Sequence, residues 1–450
     1  MGRRFGSCLL SFMRRDGPIL RLALPSVAAS LSVPIIGFAD TILVGHLDQV
    51  AMLGAVSVGA VVFDVIFWGL GFFRMGTTAL VAQAFGAQEL ERCRGILFQS
   101  AAMALLLGFV LVTLRDVIGE VGFGIAGPTD EVVHWGRQYL DVRIYSAPLV
   151  LVTFVLTGFF RGCGDAMSPL WMTIGVNLVN VVLDYALIYG KWGAPELGVA
   201  GAAWASVIAV AFGALLAAGF LLTRHRAVLS ERAPLDRQVV LRIIQTNGYL
   251  FGRTACLLFT QFFGLSLVAR MGDVPLAAHA VAWQIWSVVS YFVDGFAHAA
   301  ETLVGNAIGA LNRSEAIAYG RRCMVWGVGL GVVFGVGYLI GMGHLVRLFT
   351  DHEPVLAAVA EIAILLAWMQ PICGMVYILD GVLIGADDAR FLFIAMAIGA
   401  FAVYFPAVLL FTQTNVWGLW GVWLAYNGLM LSRFGFLAVR FRGGGWARVT

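Results

Sequence analysis

Lysine is almost missing from this chain: Lys191 stands alone against 28 arginines among the 29 basic side chains. Charge of either sign is scarce, at 12% of 450 residues, where a soluble protein carries about 25%. No polar stretch is long enough to build a water-exposed domain, which excludes an ordinary soluble enzyme. The formal net charge of +3 is small and the arginines are scattered through short breaks, so nucleic acid is excluded as a partner. The six cysteines, Cys8, Cys93, Cys163, Cys256, Cys323 and Cys373, show no CxxC spacing and no histidine in ligand register. They read as small apolar or loop residues. Walker A, HExxH, nucleophile-elbow and dinucleotide-binding patterns are also missing, so neither ATP nor a bound cofactor is expected.

What the chain has is apolar length. Hydrophobic side chains make up 60% of it, and a spanning helix needs about 20 mostly apolar residues. Twelve such runs fall at 19–44, 50–82, 95–118, 133–160, 167–190, 198–223, 241–268, 275–308, 322–342, 354–384, 390–412 and 417–439. The opening MGRRFGSCLLSFMRRDG has too short an apolar run for a secretory signal and reads as a cytoplasmic entry segment. Nineteen arginines lie in breaks on the N-terminal side, against Arg115, Lys191, Arg270 and Arg347 opposite. The positive-inside rule then places both termini in the cytoplasm and the chain, multi-pass, in the cell's inner membrane. The longest inner break, TRHRAVLSERAPLDRQ, predicts an N-terminal lobe at 1–225, a linker at 226–240 and a C-terminal lobe at 241–450.

The two halves resemble each other. ALVAQAFGAQ at 79–88 aligns with TLVGNAIGAL at 302–311, and the same shift of 223 pairs Pro148 with Pro371, Gly158 with Gly381, Gly162 with Gly385 and Asp165 with Asp388. Six spans per half is an even number, so both halves enter the membrane with the same topology, as a parallel repeat. The predicted fold is an all-α membrane protein with twelve transmembrane helices in two pseudo-symmetric six-helix lobes around a central cleft. That is a transporter architecture.

A repeat is its own control, because polar residues needed for packing should recur and those serving one site need not. Asp40 in span 1 has Phe263 or Gly264 opposite it. Asn177, Asn180 and Asp184 in span 5 correspond to Ala400, Val403 and Ala407. Spacings of three and four put this trio on one helix stripe. Acids at hydrocarbon depth cost several kcal/mol unless paired or hydrated, which makes them functional candidates; the alternative is that Asp184 sits near a span end and Asp40 caps a bend after Pro34. The C-terminal half has its own acids, Asp294, Glu301 and Asp380, opposite Gly71, Thr78 and Thr157. For these, a polar cavity lining and simple pairing with Arg74, Arg143 or Arg253 are equally open. Asp64 could face a wet vestibule.

The runs DTILVGHL at 40–47, FFRMGTTALVAQAFGA at 72–87, YLDVRIYSAP at 139–148, NLVNVVLDYALIYG at 177–190, GVAGAAWAS at 198–206, DGFAHAAETLVGNAIGA at 294–310 and LDGVLIGADDA at 379–389 resemble the multidrug and toxic compound extrusion family, and within it the DinF-like branch. The resemblance covers nearly the whole chain. It implies cation-driven efflux of organic compounds, with an N-lobe coupling site that maps onto Asp40, Asn180, Asp184, Tyr139 and Ser206, where Ser206 replaces the usual Thr. The sodium-dependent NorM-like branch has acids on spans 7 and 10; here span 7, FGRTACLLFTQFFG, has none and Cys373 takes the span-10 place. That favours protons as the coupling ion, with sodium held by Asp40, Asn180 and Asp184 as the alternative.

Two carboxylates sharing a low-dielectric site cannot both stay ionised cheaply, so proton uptake is tied to what else occupies the site. Charged, Asp40 and Asp184 attract a cationic compound; protonated, they can approach Asn180 and Tyr139 and let span 1 bend at Pro25 and Pro34. The expected partners are small organic substrates, the coupling cation and the bilayer, with the chain a monomer. A lipid or lipid-precursor flippase is a rival, although it would need a strongly cationic cavity. An intramembrane enzyme built on His279 and His298 with Asp294 is a weaker one.

Overall fold

The computed structural model describes residues 16–32, 42–45, 50–127, 129–230, 236–413 and 417–447. Among these no strand occurs, and eleven helices are long and apolar enough to cross a bilayer. After a shorter helix α1 at 16–32 they are α2 (Ala51–Gly86), α3 (Leu90–Thr113), α4 (Asp130–Gly162), α5 (Met167–Tyr189), α6 (Val199–Arg224), α7 (Arg237–Ala269), α8 (Asp273–Gly309), α9 (Arg313–Arg347), α10 (Glu353–Gly385), α11 (Ala389–Thr412) and α12 (Gly418–Gly443). The twelve predicted spans therefore each find a helix. The run predicted at 95–118 is divided: α3 stops at Thr113, and a further helix at Arg115–Ala126 extends into the break expected before 133 and ends at Gly127 in the left-handed region.

The chain divides into two compact units, one of Ala28–Ile244 and one of Gln245–Thr450 together with the residues up to Val27. The lobes expected at 1–225 and 241–450 assigned all of α1 to the earlier half. Instead, its first turns pack in the later unit, where a Cβ built on Gly295 of α8 would lie 2.3 Å from Val27 Cγ2 and 2.9 Å from the Ala23 carbonyl oxygen. Asp16 also accepts a hydrogen bond from Arg322 at 2.7 Å.

Within each unit the repeat recurs in backbone detail. Gln88 and Leu311, both outside the usual non-glycine range, take φ of 61° and 59°, and Gly164 and Asp387 take 78° and 56°. The amide of Glu89 bonds the Ala84 carbonyl at 2.9 Å, as Asn312 bonds Ala307 at 2.8 Å. Gly108 lets α3 reach Pro148 of α4, where a Cβ would lie 2.4 Å from Pro148 Cα, and Gly331 lets α9 reach Pro371 of α10 at 2.6 Å. Small residues at such crossings let backbones approach without lost side-chain volume.

The halves differ where α5 and α11 correspond. α5 is regular throughout, whereas α11 widens into a π-helical turn at Gly399–Tyr404 just before Pro406. Proline offers no N–H to the carbonyl one turn back, and a π turn is one way the chain accommodates that loss.

Candidate functional site

Three glycines seat α5 against α6. A Cβ on Gly175 would meet Leu216 Cδ1 at 2.7 Å, one on Gly213 would meet Val176 Cγ2 at 2.4 Å, and one on Gly201 would meet the Leu187 carbonyl oxygen at 2.5 Å. With the helices this close, the side of α5 carrying Asn180 and Asp184 is sealed: the two residues are 7% and 2% exposed. Asn180 Nδ2 donates to Asp184 Oδ2 at 2.8 Å, a bond between positions one turn apart. A carboxylate taken out of water needs such donors, since an unsatisfied buried charge is costly.

The other expected members are distributed around this pair. Tyr139 of α4 is buried in an apolar cluster with Ile188 of α5 and with Val199, Ala202 and Ala203 of α6, so α4, α5 and α6 meet one turn beyond Asp184. Ser206, one turn past Ala202 on α6, is also buried. Asn177 is half-buried on the same stripe of α5. The Tyr189 hydroxyl donates to the carbonyl of Leu43 in the helical turn at 42–45. Asp40 lies outside the described residues.

Neither Arg143 nor Arg74 is a counter-ion to the pair. Arg143 lies over the Phe63 ring, its guanidinium carbon 4.8 Å from the centroid, a cation–π geometry. Among the described residues no ion pair involves Arg143 or Arg74. Arg94 and Arg161, read from sequence as loop cations, are buried at 4% and 7% exposure at the ends of α3 and α4.

In the later unit Asp380 of α10 is paired with two arginines. Its Oδ2 receives Arg433 Nη2 of α12 at 2.5 Å and also Arg253 Nη2 of α7, with all three residues buried. Arg433 was missed in the sequence, although a single Arg inside the run LSRFGF of α12 was the available signal. Glu301 is buried on α8 with His298 Nδ1 3.4 Å from its Oε2. Asp294 is half-buried one turn before His298 on α8, whereas His279, nearer the start of the helix, packs on Trp423 with ring centroids 5.5 Å apart.

Outside the spans, Asp165 organises the entry to α5. It accepts from the Ser168 amide at 2.9 Å, the Ser168 hydroxyl at 2.6 Å and the Met167 amide at 3.1 Å, with His225 Nε2 3.3 Å away. Burial alone would raise its carboxyl, but the bonds from His225 and Ser168 and the nearby Arg224 charge outweigh it and hold Asp165 well below the usual carboxylate range. Its repeat partner Asp388 is held instead by Arg440 Nε at 2.7 Å. Among the described residues no three His, Cys, Asp or Glu side chains are grouped to hold a metal ion.

Residues 25–186 and 251–409 match the MatE family, one segment in each half of the repeat. The chain is 32% identical to DNA damage-inducible protein F of Escherichia coli K12, across 98% of this chain and 96% of that protein. It is 29% identical to a probable multidrug resistance protein NorM of Bradyrhizobium diazoefficiens, across 94% of each. A solved MATE structure in the bent conformation superposes with a TM-score of 0.86 at 21% identity, over 96% of this chain and 94% of that one. A MOP superfamily transporter from Pyrococcus furiosus superposes with a TM-score of 0.85 at 20% identity, over 96% and 95%. With the family matched over most of its length and a relative above 30% identity along the whole chain, this protein belongs to the MatE family of multi-pass membrane transporters.

Proposed function

We propose that the protein is a secondary active exporter of organic compounds, cationic or amphiphilic, that runs by proton antiport from the inner membrane as a monomer with both termini cytoplasmic. The observation that carries this reading is the buried Asn180–Asp184 bond, present in one repeat and replaced by Val403 and Ala407 in the other. The scaffold is thus built once without these polar groups, so packing alone does not require them. The names of the relatives, a multidrug resistance protein among them, support drug-like cargo.

In the proposed cycle Asp184 is the proton carrier, with Asp40 as the second acid. Ionised, Asp184 accepts from Asn180; protonated, it loses its charge and gains a donor, which changes what α5 can hold against its neighbours. Tyr139 and Ser206 supply hydroxyls on the helices that pack around α5. A cationic compound and a proton then compete for the same negative charge, and that competition is the coupling.

The test is efflux of a cationic dye from proteoliposomes holding purified protein, with a pH gradient and a sodium gradient imposed separately. Dye movement should follow the pH gradient with sodium absent. Strict sodium dependence would overturn the proton assignment, and no dye movement under either gradient would overturn the exporter reading.

A further inference from the structure

Within the unit that begins at Gln245, α11 and α12 leave a groove of about 730 Å³ between them. Its walls include Phe391 and Val403 of α11 and Gly435, Phe436 and Val439 of α12, and one cation, Arg440, lines it towards the end where Gly443 and Gly445 lie. Phe436 and Val439 are 36% and 73% exposed on a membrane-spanning helix, so this face meets lipid rather than protein in the chain described. Gly435 has nothing within 4 Å of where its Cβ would be, which keeps the groove open at mid-length.

Length and charge identify an occupant. Phe391 and Val403 are twelve positions apart, roughly 18 Å along a helix rising 1.5 Å per residue, and one leaflet contributes about 15 Å of the hydrocarbon core. The groove therefore suits one acyl chain reaching from the membrane surface to the midplane. At its end Arg440 spends Nε on Asp388 and lies over Phe391, its guanidinium carbon 5.2 Å from the ring centroid. Among the described residues no hydrogen bond takes its two terminal nitrogens. Arg390 in the first turn of α11 and Arg442 in the last turn of α12 are exposed at the same end.

We propose that this groove is a binding site for an anionic phospholipid, with one acyl chain between α11 and α12 and the phosphate on Arg440, flanked by Arg390 and Arg442. Basic clusters between helix ends at the membrane surface are a recurring way of holding such headgroups. A cationic cargo is repelled by three arginines, and a free phosphate has no use for the apolar walls. A zwitterionic lipid brings its own cation against the cluster. Val403 lies in the π turn of α11, so the chain end would rest on the one irregular segment of that helix. None of these residues takes part in the proposed coupling chemistry, so dye export and lipid retention can fail independently.

The experiment is native mass spectrometry of the whole purified protein, delipidated and then given phosphatidylglycerol or phosphatidylcholine of the same acyl composition. One phosphatidylglycerol per chain should survive conditions that strip phosphatidylcholine, and excess inorganic phosphate should not displace it. Gly435→Phe fills the groove and leaves the charges; Arg390→Gln with Arg442→Gln removes charges and leaves the groove. Each should weaken retention, the double variant by about thirtyfold, the size expected of two arginines near a headgroup. Val439→Trp, at an exposed wall position, replaces Gly435→Phe should that variant not fold. Equal retention of both lipids, retention unchanged by filling the groove, or displacement by phosphate alone would each overturn the proposal.

Discussion

Gly381 of α10 lies so near Ala297 of α8 that a Cβ built on it would stand 2.3 Å from the Ala297 carbonyl oxygen, and Gly158 of α4 repeats the relation with the Arg74 carbonyl of α2 at 2.5 Å. A backbone oxygen cannot give way as a flexible side chain can. Gly158→Ala and Gly381→Ala should each lower stability by about 1–3 kcal/mol, the range for overpacking a close crossing. Gly337→Ala on α9, with nothing within 4 Å of its Cβ position, should instead be neutral or stabilising by about 0.5–1 kcal/mol. Thermal melts of the three variants in one detergent check this, and equal melting points would refute the twin-crossing argument.

Asp380 carries the charge that Arg253 and Arg433 share. Asp380→Asn leaves two buried guanidinium groups facing a neutral amide, and breaking a buried ionic group in this way costs about 3–5 kcal/mol. The variant should express poorly and melt early whatever substrate is present. A variant with the native melting point and reduced transport would return Asp380 to the functional group.

Much of this was legible in the sequence. Twelve apolar runs gave twelve helices, and the offset of 223 that pairs Pro148 with Pro371 reappears as paired backbone turns at Gln88 and Leu311. What stayed hidden depended on depth and on partners. Arg94 and Arg161 sit at run ends where a sequence reads a loop, yet the bundle covers them. Arg433 needed a three-dimensional neighbour, since nothing in the local sequence of α12 points to Asp380 fifty-three positions earlier. The π turn at Gly399–Tyr404 follows from Pro406, but apolar periodicity cannot separate it from α-helix.

Asp165 makes acid sensitivity a testable property of the turn between α4 and α5. Its carboxyl is held below the ordinary value of about 3.9, so its contribution to stability is complete above that pH and is lost as pH falls through the lower folded value. Asp165→Asn should therefore melt below the parent at neutral pH, by an amount on the order of 2 kcal/mol. The gap should begin to narrow once the pH drops under about 4, where the unfolded chain takes up a proton that the folded parent still resists. A gap that is constant from pH 7 to about pH 3 would mean that the charge on Asp165 contributes nothing.

The excess of arginine on one side of the spans predicts where the loops lie. Ser230, after α6, and Gly193, between α5 and α6, are both exposed and lie at opposite ends of α6. Cysteines placed at these positions in a chain freed of its own cysteines should react with an impermeant thiol reagent from opposite faces, Ser230→Cys only after the inner face is opened. Labelling of both from outside in intact cells would overturn the proposed orientation.

The last prediction separates function from structure at Asp184. Asp184→Asn keeps the volume and the hydrogen-bonding capacity of the side chain, and an amide rotated to present its oxygen still accepts from Asn180 Nδ2, the donor now 2.8 Å from the carboxylate. Neither Arg143, which rests on Phe63, nor Arg74 forms an ion pair among the described residues, so neither depends on the lost charge. The fold should therefore survive with a melting point close to the parent, in contrast to Asp380→Asn. Transport should not survive, because an amide cannot take up and release a proton between pH 5 and 8, and competition between proton and cargo ends. Dye efflux in proteoliposomes should fall to the level of empty vesicles at every pH in that interval. Native-like efflux with the parent's pH dependence would remove Asp184 from the coupling site, and an early-melting protein would give it the structural role that Asp380 is expected to have.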